Sequence, residues 1–242
     1  MIRTVRSVIC LPTYNERENL EPMVAALRRL DLDDLHVLVI DDNSPDGTGE
    51  IADRIAALDD HVHVLHRERK EGLGPAYLAG FRRALELGAD LVFEMDCDFS
   101  HDAADVPRLA AATENADLVL GSRYVQGGGT RNWGFVRRFI SRGGSLYAQV
   151  LLQLRVRDLT GGFKCYRRKV LETIDLDGIS SLGYAFQIET TYRTLRAGFR
   201  VVEVPITFAD REVGGSKMSK RIVLEAIWKV PILRLRALSG RL

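Results

Sequence analysis

Between residues 7 and 122 short apolar runs alternate with amphipathic stretches, and this rhythm constrains the fold more than any other feature. SVICL (7–11), HVLVI (36–40), HVHVLH (61–66), DLVFEM (90–95) and ADLVLGS (116–122) read as strands. Between them 19–30, 49–58, 74–88 and 104–114 carry helical periodicity, with Asn15 and Glu18 at capping-box spacing before the first. Apolar strands separated by helices predict an α/β fold, a mostly parallel sheet covered on both faces. Such sheets bind ligands beyond the carboxyl ends of their strands.

Three polar clusters fall at those ends: PTYNE (12–16), DDNSPDGT (41–48) and DCDFSH (96–101). Each alone could be a turn with solvated charge, but three on one sheet converge on one crevice. Asp96 and Asp98 are like charges one residue apart, and a cation between them would relieve their repulsion. No GxGxxG follows the first strand and no P-loop is present, which disfavours hydride transfer and P-loop chemistry. The pattern fits a nucleotide diphosphate held through a divalent cation on carboxylates.

Charge is unevenly spread. The net charge of +1 conceals a front half, 1–117, with 12 Lys/Arg against 24 Asp/Glu. Residues 118–157 hold seven arginines and no acid, and 217–242 hold seven basic residues against Glu225. Arginine forks suit phosphate, so the basic blocks point to an anionic partner. Cys10, Cys97 and Cys165 form no CxxC pair and fit a reducing compartment. Neither a signal peptide nor a membrane-spanning run is read.

PTYNE, DDNSPDGT, GLGPA (72–76), DCD, GSRY (121–124), DLTGGFKCY (158–166), FQIE (186–189) and GGSKMS (214–219) occur in that order. Together they resemble the dolichol-phosphate (polyprenyl-phosphate) mannose synthases, inverting GT-A fold enzymes of glycosyltransferase family 2. The resemblance implies a GT-A catalytic domain over 1–216 and a basic amphipathic helix over 217–242. It implies transfer of mannose from GDP-mannose to a polyprenyl (dolichyl) phosphate with Mg²⁺ or Mn²⁺. UDP-glucose as donor and a non-catalytic nucleotide-sugar-binding module stay open as alternatives. No nucleic acid is expected.

The same resemblance assigns residues. Pro12, Tyr14, Glu16, Ile40, Asp42, Asp96, Cys97, Asp98, Arg123, Arg211 and Lys217 would take the nucleotide sugar. Asp96, Asp98 and Ser100 would take the metal, Asp98 foremost. Arg123, with Arg137 favoured over Arg138, and Ser141 would hold the acceptor phosphate; Asp98, Arg123 and Arg137 would be catalytic. Gln187 and Glu189 of FQIE would lie near the acceptor. A phosphate monoester is mostly dianionic at neutral pH, so this acceptor needs no general base. The segment 211–220 reads as a loop closing on the diphosphate. RIVLEAIWKVPILRLRAL (221–238), interrupted by Pro231, reads either as a helix in a bilayer interface or as one packed on the domain. A lipid acceptor requires a membrane surface or a membrane-anchoring partner protein, on the cytoplasmic face.

Overall fold

A computed structural model describes residues 4–210, 220–240 and 242 of the chain. Its first half follows the alternation: β1 (Arg6–Thr13), α1 (Arg17–Arg28), β2 (Asp34–Asp41), α2 (Thr48–Ala56), β3 (Val62–His66), α3 (Leu73–Glu86), β4 (Leu91–Glu94), α4 (Val106–Ala112) and β5 (Leu118–Ser122). The second half adds β6 (Gly129–Arg131), α5 (Phe135–Leu152), β7 (Lys164–Arg167), α6 (Arg168–Thr173), α7 (Gly183–Arg196), β8 (Val201–Pro205), β9 (Thr207–Ala209) and α8 (Lys220–Leu238).

Seven strands form one sheet in the order β3-β2-β1-β4-β7-β5-β8, and β6 pairs with β9 in a small second sheet. All pairings in the large sheet are parallel except those of β7, which runs antiparallel between β4 and β5. The expected mostly parallel sheet is therefore present, with one inserted strand that the alternation does not announce. Lys164 sits inside β7, fully buried, and its Nζ donates to Gln187 O (2.8 Å) and Thr190 Oγ1 (2.9 Å). Burial pushes its pKa down to about 8.

Two apolar layers cover the sheet. Ile9, Leu11, Val37, Val39 and Phe93 pack under Leu20, Met23, Ile51 and Leu109 of α1, α2 and α4. Val8, Cys10, Leu38, Ile40 and Val92 pack under Tyr77 and Phe81 of α3, Phe186 and Ile188 of α7, and Val230 and Leu233 of α8. Period-2 alternation along β1 and β2 sends successive side chains into opposite layers, which is why these strands read as unbroken apolar runs.

The capping-box expectation is corrected. Asn15 adopts φ +56°, Glu16 takes the cap position of α1 without a side-chain bond to the helix backbone, and its carboxylate instead accepts from Asn19 Nδ2 (2.8 Å). Pro231 does not end α8, which continues to Leu238 with Val230 and Leu233 buried on either side of it. At the amino ends of β2 and β3, Asp34, His36 and His63 gather on one face: His36 Nε2 is 2.9 Å from Asp34 Oδ1 and His36 Nδ1 is 3.0 Å from His63 Nε2. Burial holds both imidazoles below their usual range.

Candidate active site

Beyond the carboxyl ends of β1, β2, β4 and β5 opens a cleft of about 380 Å³. The loops that form it are held from below by short polar bonds. In the β2–α2 loop Asp41 accepts from Ser44 N (3.2 Å), Ser44 Oγ (2.5 Å) and Thr13 Oγ1 (3.4 Å), tying that loop to the end of β1. Asp46 accepts from the Thr48 N–H and hydroxyl, and Gly47 supplies the φ of +89° that lets α2 start there. Gly74 brings the start of α3 against the chain near Ser181, where a Cβ would lie 2.5 Å from the Ser181 carbonyl oxygen.

One wall carries the nucleoside-type residues. Pro12, Tyr14, Glu16 and Asp42 line it, with Lys70 Nζ 3.9 Å from the Tyr14 ring centre. Asp42 pairs with Arg67 at 2.5 Å; burial nevertheless holds its pKa above the usual carboxylate range. Ile40 is not brought to the wall: its side chain is fully buried in the layer under α3.

The floor carries the acidic loop. Asp96, Cys97 and Asp98 line the cleft. Asp98 is 3% exposed, with Oδ1 accepting from the Ser100 N–H at 3.0 Å. Tyr77 OH lies 3.4 Å from Asp96 Oδ1. His101, quoted with the acidic cluster but given no role from sequence, also lines the cleft, and its Nδ1 accepts from the Asp96 N–H (3.2 Å). Phe163 stacks on its ring. This donor set fits a hard divalent ion such as Mg²⁺ or Mn²⁺, because two carboxylates supply oxygens and leave positions for phosphate and water. Ser100 Oγ is buried without a hydrogen-bond partner, behind the cleft lining.

The opposite wall is cationic. Arg123, at the end of β5, is 6% exposed and locked by Asp158: Nε to Oδ2 at 2.7 Å, Nη2 to Oδ1 at 2.6 Å, and its own N–H to Oδ2 at 2.9 Å. Nη2 also donates to Thr160 Oγ1 (2.9 Å), which leaves Nη1 for a ligand. Burial alone would lower the Arg123 pKa, but Asp158 outweighs it and raises it, so the charge is fixed. The rings of Tyr124, Trp133 and Phe208 surround this guanidinium at 5.2–5.5 Å.

Arg137 stacks 4.2 Å from the Trp133 ring, pairs with Asp210, and keeps a buried Nε without a partner. It lines the cleft, whereas Arg138 is exposed and outside it. Ser141 lies behind the wall and accepts from Tyr124 OH (2.7 Å). Gln187 lines the cleft; Glu189 does not, being held by Ser181 Oγ (2.5 Å) and Arg193 Nε (2.9 Å). Arg211 and Lys217 lie outside the described residues. Thr160, Gly162 and Tyr184 are further lining residues that the sequence reading did not assign.

Comparison with known proteins gives the family and the architecture. Residues 8–175 match the family described as Glycosyl transferase family 2. The chain is 52% identical over 226 residues to the undecaprenyl-phosphate mannosyltransferase of Micrococcus luteus, covering 93% of each chain. It is 49% identical over 229 residues to the polyprenol monophosphomannose synthase of Mycolicibacterium smegmatis, covering 94% of this chain and 86% of that one. Among solved structures, glucosyl-3-phosphoglycerate synthase from Mycobacterium tuberculosis with Mn²⁺, UDP and phosphoglyceric acid superposes with a TM-score of 0.69 at 20% identity, over 96% of this chain and 78% of that one. A mannosyltransferase from Pyrobaculum calidifontis in complex with GDP-Man and Mn²⁺ gives 0.59 at 16% identity, over 99% and 75%. The architecture is thus GT-A-like. An acidic loop facing a cationic wall across one cleft, in a chain half identical to two such enzymes along nearly its whole length, leads to one assignment: the chain belongs to glycosyl transferase family 2, within its polyprenyl-phosphate mannose synthase group.

Proposed function

We propose that the chain transfers mannose from GDP-mannose to a polyprenyl phosphate with inversion at the anomeric carbon. The observation that carries this reading is the single cleft in which Asp96 and Asp98 face Arg123 and Arg137. Pro12, Tyr14, Glu16 and Asp42 hold the nucleoside on one side, and the arginines hold the acceptor phosphate on the other. Asp96 and Asp98 would hold a Mg²⁺ or Mn²⁺ ion, which when bound would supply positive charge to the departing GDP. The acceptor oxygen bonds to C1 of the mannose as the C1–O bond to GDP breaks, giving polyprenyl-phosphate mannose and GDP with no proton to remove. The arginines position the nucleophile and offset its charge. Arg137, with its unpartnered Nε, and Nη1 of Arg123 are the available donors.

The two relatives' names favour mannose and a polyprenyl acceptor over UDP-glucose. The route to the lipid is a membrane surface. No helix among the described residues is long and apolar enough to cross a membrane. Instead α8 divides its residues: Val230, Leu233 and Ala237 enter the core, while Leu224, Ile227, Trp228, Ile232, Leu235 and Leu238 stay exposed. Phe135, Val136, Phe139, Leu146 and Val150 of α5 are also exposed, and Tyr147 OH joins the two helices through Ile227 O (2.8 Å). The inward face of α8 is packed on the domain, and the exposed set, with Arg138, Arg142 and Arg234 on the same two helices, suits an anionic bilayer interface. The three buried, free cysteines suit its reducing, cytoplasmic side.

The test is incubation of purified protein with undecaprenyl or dolichyl phosphate and a panel of nucleotide sugars, with Mg²⁺, Mn²⁺ or chelator. Mannolipid formed only from GDP-mannose and only with metal is expected. Equal transfer from UDP-glucose, or none from any donor, refutes the proposal.

A further inference from the structure

A second group of ligand-bearing side chains lies at the other end of the sheet, about 20 Å along β2 from Asp42. Parallel pairing of Val37 with Val62 sets His36 opposite His61, and the period-2 pleat returns Asp34 and His63 to the same face. Four of the chain's metal-ligating residues thus meet at the edge of the sheet, remote from the cleft and without a part in the transfer reaction.

We propose that Asp34, His36 and His61 form a second cation site, for a borderline transition ion of the Zn²⁺ class, with His63 orienting His36. One ligand atom from each of the three lies within 4.8 Å of the other two. Tetrahedral zinc with bonds of about 2.1 Å sets its ligands roughly 3.4 Å apart, so closure needs movements on the order of 1 Å. His61, with 43% of its side chain exposed, has room to make them.

The hydrogen bonds already fit a ligated state. His36 Nε2 faces Asp34 Oδ1 at 2.9 Å, and an ion between them replaces that bond by two coordinate bonds. The His36 proton then moves to Nδ1, which donates to His63 Nε2 at 3.0 Å, and the His63 proton moves from Nε2 to Nδ1. The pair exchanges tautomers and releases no net proton. A ligating histidine usually has its second nitrogen fixed in this way. Arg6 holds the other Asp34 oxygen at 2.9 Å, which leaves Oδ1 for the ion, and Asp59 stands 3.4 Å from His61 Nδ1. Arg83 is a further neighbouring charge on the α3 side.

Two imidazoles and one carboxylate favour Zn²⁺, Ni²⁺ or Cu²⁺, whereas the carboxylate loop of the cleft favours Mg²⁺ or Mn²⁺. The two sites would not compete for one ion. Bound there, the ion clamps the residue before β3, one of the two edge strands of the sheet, to β2.

The full-length, chelator-stripped protein is titrated with ZnCl₂ by calorimetry in excess Mg²⁺, with thermal unfolding followed in parallel. One Zn²⁺ per chain and a higher melting temperature are expected. His61→Ala, at a half-exposed position that leaves the fold intact by circular dichroism, lowers the affinity at least about tenfold, and His63→Ala about 10- to 100-fold. Asp98→Asn leaves the zinc isotherm unchanged. Absence of saturable binding, or binding lost in Asp98→Asn and retained in His61→Ala, overturns the proposal.

Discussion

Replacing Asp158 by asparagine leaves the Arg123 charge buried among three aromatic rings with no carboxylate against it. Asp158 is fully buried and receives two side-chain bonds and one backbone bond from Arg123. Asparagine keeps the volume and one acceptor but not the charge. Removing one partner of a buried ion pair costs about 3–5 kcal/mol, chiefly because the other charge is stranded. In a chain of this size each kcal/mol moves the melting temperature by about 2–4 °C, so Asp158→Asn should lower it by roughly 6–20 °C. Differential scanning calorimetry reads this directly. The double variant Arg123→Met/Asp158→Leu should recover most of the loss, since an apolar pair of similar volume replaces a buried ion pair at little cost. It should transfer no mannose, because the cationic wall has lost Nη1 of Arg123. A fall below about 3 °C for Asp158→Asn, or a double variant less stable than the single one, refutes the view that Asp158 exists to hold this guanidinium.

Asp98→Asn, or chelation of the wild type, should cut turnover about 10²–10³-fold while leaving the melting temperature of the apo protein nearly unchanged. Steady-state assays with and without EDTA check both halves. Glu189→Gln should destabilise the fold, because it loosens the Ser181 and Arg193 bonds, yet retain turnover within about tenfold; an inactive but fully folded variant would sink the base-free mechanism. Burial holds the Lys164 pKa down to about 8 in the folded chain, against the ordinary lysine value of 10.5 in the unfolded one. Between those values the unfolded chain binds more protons, so this residue makes stability rise with pH across that window. Denaturant unfolding at pH 8 and 10 should show that component in the wild type and its absence in Lys164→Met. Phe139→Glu with Trp228→Glu should abolish flotation with anionic liposomes and leave transfer to a water-soluble short-chain acceptor intact.

β1, β2, β4 and β5 were legible because each is an apolar run buried on both faces, and the helices between the first five strands keep their own period; β3, at the sheet's edge, is only partly buried. The cleft was legible for a related reason: acids placed where such strands end have no core to enter, so Asp42, Asp96 and Asp98 announce a ligand. β7 was not legible. It is four residues long with a lysine inside it, and its place between β4 and β5 depends on a buried Nζ that only the folded α7 can satisfy. Asp158 was likewise invisible, since nothing local marks an acid 35 residues from its arginine as that arginine's partner. Ile40 went the other way: Asp42 lies past the end of β2 and faces the cleft, whereas Ile40 is still inside the strand and packs into the layer under α3. On spacing either Arg137 or Arg138 could share the helical face of Ser141, with Arg137 favoured; Arg137 stacks on Trp133, pairs with Asp210 and lines the cleft, and Arg138 does not line it.

The double allegiance of α8 has a practical corollary. Cutting the chain before Lys220 to obtain a lipid-indifferent enzyme would uncover the faces of α5 and α7 on which α8 packs with Val230 and Leu233. On α8 the exposed apolar residues alternate with the buried Val230, Leu233 and Ala237. If the exposed row holds a bilayer as proposed, the outward residues of α8 can change only while Val230, Leu233 and Ala237, on the same helix, keep their places in the layer formed with α3, α5 and α7.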